Sequence, residues 1–359
     1  MPSQLANYQC PNCGGPLRFD PELQKLKCDY CESVFTAAEV ESFFSEKEEM
    51  AASAVGFEEG AGEWTPAEAA NMRVYSCPAC GAQLLAEQTS AVSQCPYCGN
   101  NHVAAHQFAG SKKPEYVIPF EINKQQAVDA LNAFYKGKPF LPAPFRDQNH
   151  IEEVKGVYVP FWLYDGTMDT DIVYRGERIR QFQSGNDMVT ETSHYQIVRK
   201  GTVEFQRVPA DASSKMPDEY MDAIEPFDYS RLKPFTSVYM AGYMADIYDI
   251  DSDANRKRTD ERMANSAAQV MRNTVHGYTN VVPVRQYIHR IRGTAVYAFL
   301  PVWLLSTNYE GQTYLFAVNG QTGKLIGDLP TDAGRFAVTF IVIALLISIV
   351  MAVALGVFA

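Results

Sequence analysis

Cys77-Pro78-Ala79-Cys80-Gly81 and Cys95-Pro96-Tyr97-Cys98-Gly99, two CxxC pairs separated by fourteen residues, decide how this chain is read. A CxxC turn sets two sulfurs on one side of a tight knuckle. The small residue after the second cysteine lets backbone N–H groups reach the thiolates. Fourteen residues suffice for a β-hairpin that brings the knuckles face to face, closing a tetrahedral S4 site with bonds of about 2.3 Å. The same CxxC-x14-CxxC spacing occurs earlier, in Cys10-Pro11-Asn12-Cys13-Gly14 and Cys28-Asp29-Tyr30-Cys31-Glu32. There Glu32 replaces the expected glycine, so the first site should be slightly less regular. The expected metal ligands are therefore Cys10, Cys13, Cys28 and Cys31 in one site and Cys77, Cys80, Cys95 and Cys98 in the other. Both read as structural zinc ribbons of the rubredoxin-like kind. A redox CxxC would sit once, at a strand-to-helix turn, and a catalytic zinc would keep a position open for water.

Working outward, all eight cysteines fall before residue 99 of a 359-residue chain. That clustering suggests thiolates kept for metal in a reducing compartment rather than scattered disulfides. The net charge of −11 argues against a chain that coats nucleic acid, because such binding works by displacing counterions with Lys and Arg. The second ribbon carries no Lys or Arg between Cys77 and Cys98, which weakens a transcription- or replication-type nucleic-acid role, the alternative function. The N-terminus has neither a basic stretch nor an apolar run, so no signal peptide is expected. Residues 336–359 carry no charge. A helix of that length measures about 36 Å, enough to cross a hydrocarbon core of about 30 Å. A buried core helix competes with this reading, but one so long would keep a polar stripe. The expectation is a single-pass C-terminal anchor in the bacterial inner (cytoplasmic) membrane. The N-terminal bulk would face the cytoplasm, with Arg335 on that side.

Five regions follow: zinc ribbon 1 over 1–36, an acidic connector over 37–73, zinc ribbon 2 over 74–108, an α+β body with antiparallel sheets over 114–330, and a transmembrane helix over 336–359. The connector should hold a short helix and then a flexible stretch around 56–60. In the body, 124–136 reads as an amphipathic helix with Asn123 as N-cap, an apolar face of Ala127, Val128, Leu131, Phe134 and Tyr135, and Gly137 as its stop. Alternating β-branched and aromatic residues over 157–208, broken at Ser184-Gly185-Asn186-Asp187, predict an antiparallel hairpin. A second helix is expected over 253–276, and strands over 281–292, 294–307, 312–319 and 323–327. Pro160-Phe161-Trp162-Leu163 echoes Pro301-Val302-Trp303-Leu304, a weak internal repeat.

Few other motifs carry chemistry. His102 and His106 stand four apart, a metal-binding spacing on a helix, yet the neighbouring site already has four thiols. Gly320-Gln321-Thr322-Gly323-Lys324-Leu325 resembles a phosphate loop only briefly, since Val318 and Leu325 occupy positions that need Gly and Ser or Thr. It reads as a β-turn. No GxSxG or HExxH occurs, no catalytic or cofactor-binding constellation is visible, and the chain is not expected to be an enzyme.

Several segments together carry a resemblance: Val117-Ile118-Pro119-Phe120, Gly156-Val157-Tyr158-Val159-Pro160-Phe161-Trp162-Leu163, Val208-Pro209-Ala210-Asp211-Ala212-Ser213, Glu225-Pro226-Phe227-Asp228-Tyr229-Ser230, Tyr243-Met244-Ala245-Asp246 and Asn319-Gly320-Gln321-Thr322-Gly323-Lys324. In this order, with both ribbons, they resemble the bacterial TFIIB-type zinc-ribbon membrane proteins, a YdjG-like family. The resemblance implies a membrane-anchored adaptor associated with an SPFH-domain protein and a phage-shock-protein-A-like, ESCRT-III-related partner in envelope stress, as a hetero- or homo-oligomer. It brings no catalytic residue.

Overall fold

The computed structural model describes residues 10–12, 17–20, 25–28, 31–36, 39, 58–87, 92–108, 110–148 and 153–358. Strands β1 (Leu17–Asp20), β2 (Lys25–Cys28) and β3 (Val34–Phe35) form an antiparallel sheet of their own. The register pairs Leu17 with Cys28 and Leu26 with Phe35.

The remaining strands are β4 (Glu58–Gly60), β5 (Met72–Ser76), β6 (Gln83–Glu87), β7 (Ala104–Gln107), β8 (Tyr116–Val117), β9 (Lys155–Ser184), β10 (Asp187–Asp211), β11 (Lys233–Pro234), β12 (Met244–Asp246), β13 (Asn280–Tyr309), β14 (Gln312–Asn319) and β15 (Leu325–Gly327). They share one sheet whose main path runs β11-β8-β13-β9-β12-β6-β5-β7, with β14 and then β15 branching from β13. The expected antiparallel body is corrected here: the sheet is mixed. β12 lies parallel to β9 (Met244 opposite Val157), and β8 lies parallel to β13 (Ala298 opposite Tyr116). Parallel neighbours are joined by long crossovers rather than tight turns. Alternation in sequence reveals a strand but not such a distant partner.

The chain divides into two compact units. One contains Leu163–Ala210 and Ser252–Ala295. Here the hairpin of β9 and β10 turns at Gly185, as the sequence predicts, and the Arg256–Asn273 helix buries Met263, Ala267 and Met271. Ile172, Tyr174, Ile197, Met271 and Val275 form its core. The Arg290 guanidinium is fully buried and anchored by Asp260, with Nε 2.7 Å from Oδ1.

The other unit contains Gly60–Trp162, Asp211–Asp251 and Val296–Ala359. The Lys124–Tyr135 helix has the expected Asn123 cap, whose side chain accepts from Gln126 N while Gln126 returns a bond to the Asn123 N–H. It buries Ala127, Val128, Leu131 and Tyr135 against Phe145, Trp303, Leu305, Phe316 and Val318, while Phe134 packs half-buried at the edge. Trp162 and Trp303, from the echoed tetrapeptides, each donate the indole N–H to a backbone carbonyl, of Ile250 and Ile122. The two strands expected around 281–292 and 294–307 are one strand, β13, running straight through Gly293.

Two further expectations change. Part of the region read as connector is structured: residues 58–60 form β4, and residues 56 and 57 lie outside the described residues. Gly62 bridges Lys113, Thr65 and Glu68 cap a short helix (Pro66–Ala70), and Trp64 packs edge-on against Phe108 and Phe235. Lys113 Nζ sits 2.8 Å from Glu68. At the other end, a helix over Ala333–Phe358 is long and apolar enough to cross a membrane, with none of its Ala333–Met351 span buried.

Candidate metal centre

In three knuckles among the described residues, one backbone carbonyl and one left-handed residue close the turn. In the second ribbon Cys77 N donates to Ala82 O and Gly81 N to Cys77 O, while Cys95 N donates to Asn100 O and Gly99 N to Cys95 O, all between 2.8 and 3.0 Å. Gly81 and Gly99 adopt φ of 73° and 72°, which costs glycine nothing. The first ribbon repeats the pattern: Cys28 N donates to Ser33 O and Glu32 N to Cys28 O. Glu32 takes the glycine position at φ 59°, the less regular knuckle that its sequence implied, held in a region unfavourable to a side chain.

These turns converge the sulfurs. Cys77, Cys80, Cys95 and Cys98 place all four Sγ atoms within 4.8 Å of one another. Cys77 Sγ stands 3.6 Å from Cys98 Sγ, and Cys80 Sγ 3.6 Å from Cys95 Sγ. Disulfide sulfurs lie at about 2.05 Å. The edge of a tetrahedron with 2.3 Å metal–sulfur bonds is about 3.8 Å, close to what is seen. In the first ribbon Cys10, Cys28 and Cys31 converge in the same way, with Cys10 Sγ 3.6 Å from Cys31 Sγ. Cys13, the expected fourth ligand there, lies outside the described residues. Each group can hold a metal ion. His106 lies on β7, a strand, so the helical spacing that would have paired it with His102 does not apply.

The thiols of the second ribbon's group differ in acidity. At Cys77 burial opposes ionisation, but the backbone N–H groups of Cys80 and Ala79 and the thiols of Cys98 and Cys80 outweigh it and bring it down to about 7. Burial pushes Cys80 up to about 11 and Cys95 higher still. Without a cation, close thiolates cannot all ionise. A divalent metal supplies the missing charge and expels the protons.

Sequence reasoning missed what lies behind the second ribbon. β6 pairs with β12, setting Leu84 opposite Asp246 and Leu85 opposite Ala245. Asp246 is fully buried: its Oδ2 accepts the Tyr97 hydroxyl at 2.7 Å and the Ser213 hydroxyl at 2.5 Å, and its Oδ1 has no partner. Burial raises this carboxyl to about 7 against the two hydrogen bonds. Tyr97 sits between Cys95 and Cys98 of the thiol cluster, so the ribbon is bolted into the sheet. The only sequence signal was indirect: Ala212-Ser213 and Ala245-Asp246 both belong to the segments that carried the resemblance.

Comparison with known proteins fits this arrangement. The uncharacterized protein YdjG of Bacillus subtilis (strain 168) is 34% identical over 336 residues, covering 94% of this chain and 93% of YdjG. No family model matches, and no solved structure matches. With a match that takes in nearly all of each protein, this chain belongs to the family of YdjG.

Proposed function

We propose that this chain is a non-enzymatic zinc-ribbon adaptor, anchored in the bacterial cytoplasmic membrane by its C-terminal helix, that brings cytosolic proteins to that membrane. The closed thiol tetrad of the second ribbon carries the reading. Four sulfurs at tetrahedral separations leave no position for a water or substrate, which is the mark of a structural zinc site rather than a catalytic one. An all-thiol set of this geometry selects zinc or an iron–sulfur cluster, and two such sets on small hairpins suit rigid docking platforms. The exposed apolar Ala333–Met351 span supplies the anchor. The partners are an SPFH-domain protein and a phage-shock-protein-A-like protein in envelope stress, on the ground of the family resemblance.

The test uses full-length protein and two deletions in cells carrying a fluorescent partner. Because 58–73 is built into the second unit or its edge, the N-terminal deletion stops at residue 39. It should leave the protein in the membrane and release the partner. Removing 336–359 should leave the partner bound to a protein no longer at the membrane. A partner that stays at the membrane after both deletions refutes the recruiting role.

A further inference from the structure

Beside the first turn of the apolar helix, the second unit opens a trough of about 1080 Å3. Its walls include Tyr220, Tyr309 and Tyr314, and its rim carries Glu310, Asp328 and Asp332. Among the described residues, no Lys or Arg lines it. The tyrosines are held from behind: the Tyr309 and Tyr314 rings each meet Phe145 edge-on at 5.3 Å, and the Tyr220 hydroxyl donates to Asp328 at 2.7 Å.

The trough is fixed to the root of the helix. Asp332 N donates to Phe140 O at 2.7 Å, and Phe140 packs against Phe336 with ring centroids 5.5 Å apart. Ala333, the first helical residue, is itself part of the trough wall. Three residues later the uncharged apolar run begins. A helix that crosses a bilayer with that run in the hydrocarbon holds the trough at headgroup level, where tyrosine, with an apolar ring and a polar tip, is a preferred residue.

The chemistry of the lining selects the ligand. Glu310, Asp328 and Asp332 make the trough negative, and among the described residues Asp332 is the one of the three in an ion pair, with Arg335 Nε at 3.3 Å. The same field holds the Tyr309 hydroxyl above its ordinary range, with burial the larger cause and Glu310 and Asp332 adding to it. Such a site repels an anionic headgroup. It attracts an ammonium, which gains from the carboxylates by charge and from tyrosine faces by cation–π attraction. A headgroup fills part of the volume and leaves room for glycerol and water. A lysine from a partner protein has similar chemistry. The bilayer, however, presents headgroups to this trough at high local concentration without any docking event.

We propose that the trough binds the primary ammonium headgroup of an ethanolamine phospholipid, a reading that rests on the C-terminal helix spanning the membrane. Full-length protein, released from membranes in mild detergent, is offered phosphatidylethanolamine and phosphatidylglycerol in equal amounts, and native mass spectrometry counts the lipids retained. Wild type should retain the ethanolamine lipid preferentially. The Glu310→Gln, Asp328→Asn double variant should lose about tenfold in that preference, the effect of removing two charge-assisted contacts. Glu310→Gln alone, at an exposed turn residue with no packing role, should lose part of it without disturbing the fold. Equal retention of both lipids by wild type overturns the proposal, as does an unchanged preference in both variants. A lysine-rich peptide that displaces the lipid at lower concentration assigns the trough to a protein and also overturns it. Alkaline carbonate extraction of the same full chain separates the two readings. Protein that stays in the membrane without an ethanolamine preference loses only this inference, whereas extracted protein loses the anchor itself.

Discussion

Replacing Asp246 by Asn tests whether the second ribbon is bolted to the body as described. In the fold the carboxyl titrates near 7, against 3.8 for an ordinary aspartate. A group raised in this way favours folding at low pH, with its contribution fully present below pH 3.8 and lost as pH rises through 7. At about 1.4 kcal/mol per unit of pH, the buried charge costs the fold about 4 kcal/mol above neutrality. Of this, about 2.5 kcal/mol is lost between about pH 5 and 8. Asparagine keeps one oxygen to accept from Tyr97 and Ser213 and never ionises. Its NH2 takes the place of Oδ1, which has no partner, so the variant carries a constant penalty of about 1–3 kcal/mol. Relative to wild type it should be close to parity at pH 5 and more stable at pH 8, gaining about 2.5 kcal/mol across that range. Thermal unfolding of the zinc-saturated protein in detergent, followed by near-UV circular dichroism across that range, measures the difference. Parallel curves for the two proteins would mean that Asp246 is not buried against Tyr97 as a titrating group, and the argument for the bolt would fail.

Elemental analysis should return two zinc ions per chain, and Cys95→Ser should reduce this to one. The variant should also destabilise the body, since losing the knuckle frees Tyr97 from Asp246. Zinc affinity should fall steeply below about pH 6, because acid protonates the ligand thiols. Proton release on zinc binding, measured by calorimetry in buffers of different ionisation enthalpy, checks that sign. Gly320→Ala should destabilise the body by about 1–3 kcal/mol, because its methyl would lie 2.7 Å from both Phe120 Cδ1 and Pro301 Cβ, too close for a packed core to absorb. Denaturant unfolding measures it.

The ribbons were legible because metal chemistry is written in short-range spacing, and the same holds for local punctuation. Asn123 with Gln126 marks a helix start, and Ser184-Gly185-Asn186-Asp187 marks a hairpin, each within a few residues of the structure it makes. Reading failed where partners are distant. Nothing near Met244 announces that β12 will lie parallel to β9, or that its other edge will receive β6 from the second ribbon. The acidic composition of 37–73 suggested a short helix and then a flexible stretch around 56–60. Yet Trp64, a single large apolar residue, together with the Thr65–Glu68 cap, was enough to fold the end of that stretch onto Phe108 and Phe235. One half-buried aromatic can outweigh a run of surface charge, because its ring contacts are worth more than the charges lose by staying at the surface. Asp246 was invisible for a related reason, since an aspartate looks like surface until the sheet closes over it.

The bolt between Tyr97 and Asp246 joins residues 149 positions apart in the chain. A ribosome adding about 5–20 residues per second makes Asp246 about 7–30 s after Tyr97. Throughout that interval the second hairpin has no β12 to pair with, and the side chains of Leu84 and Leu85, on opposite faces of β6, lack the cover they have in the finished sheet. The metal is what can hold it in shape during the wait. Zinc captured early would therefore present a finished edge for the rest of the sheet to assemble on, and zinc captured late would leave the nascent chain exposed to proteases and chaperones at its most vulnerable length.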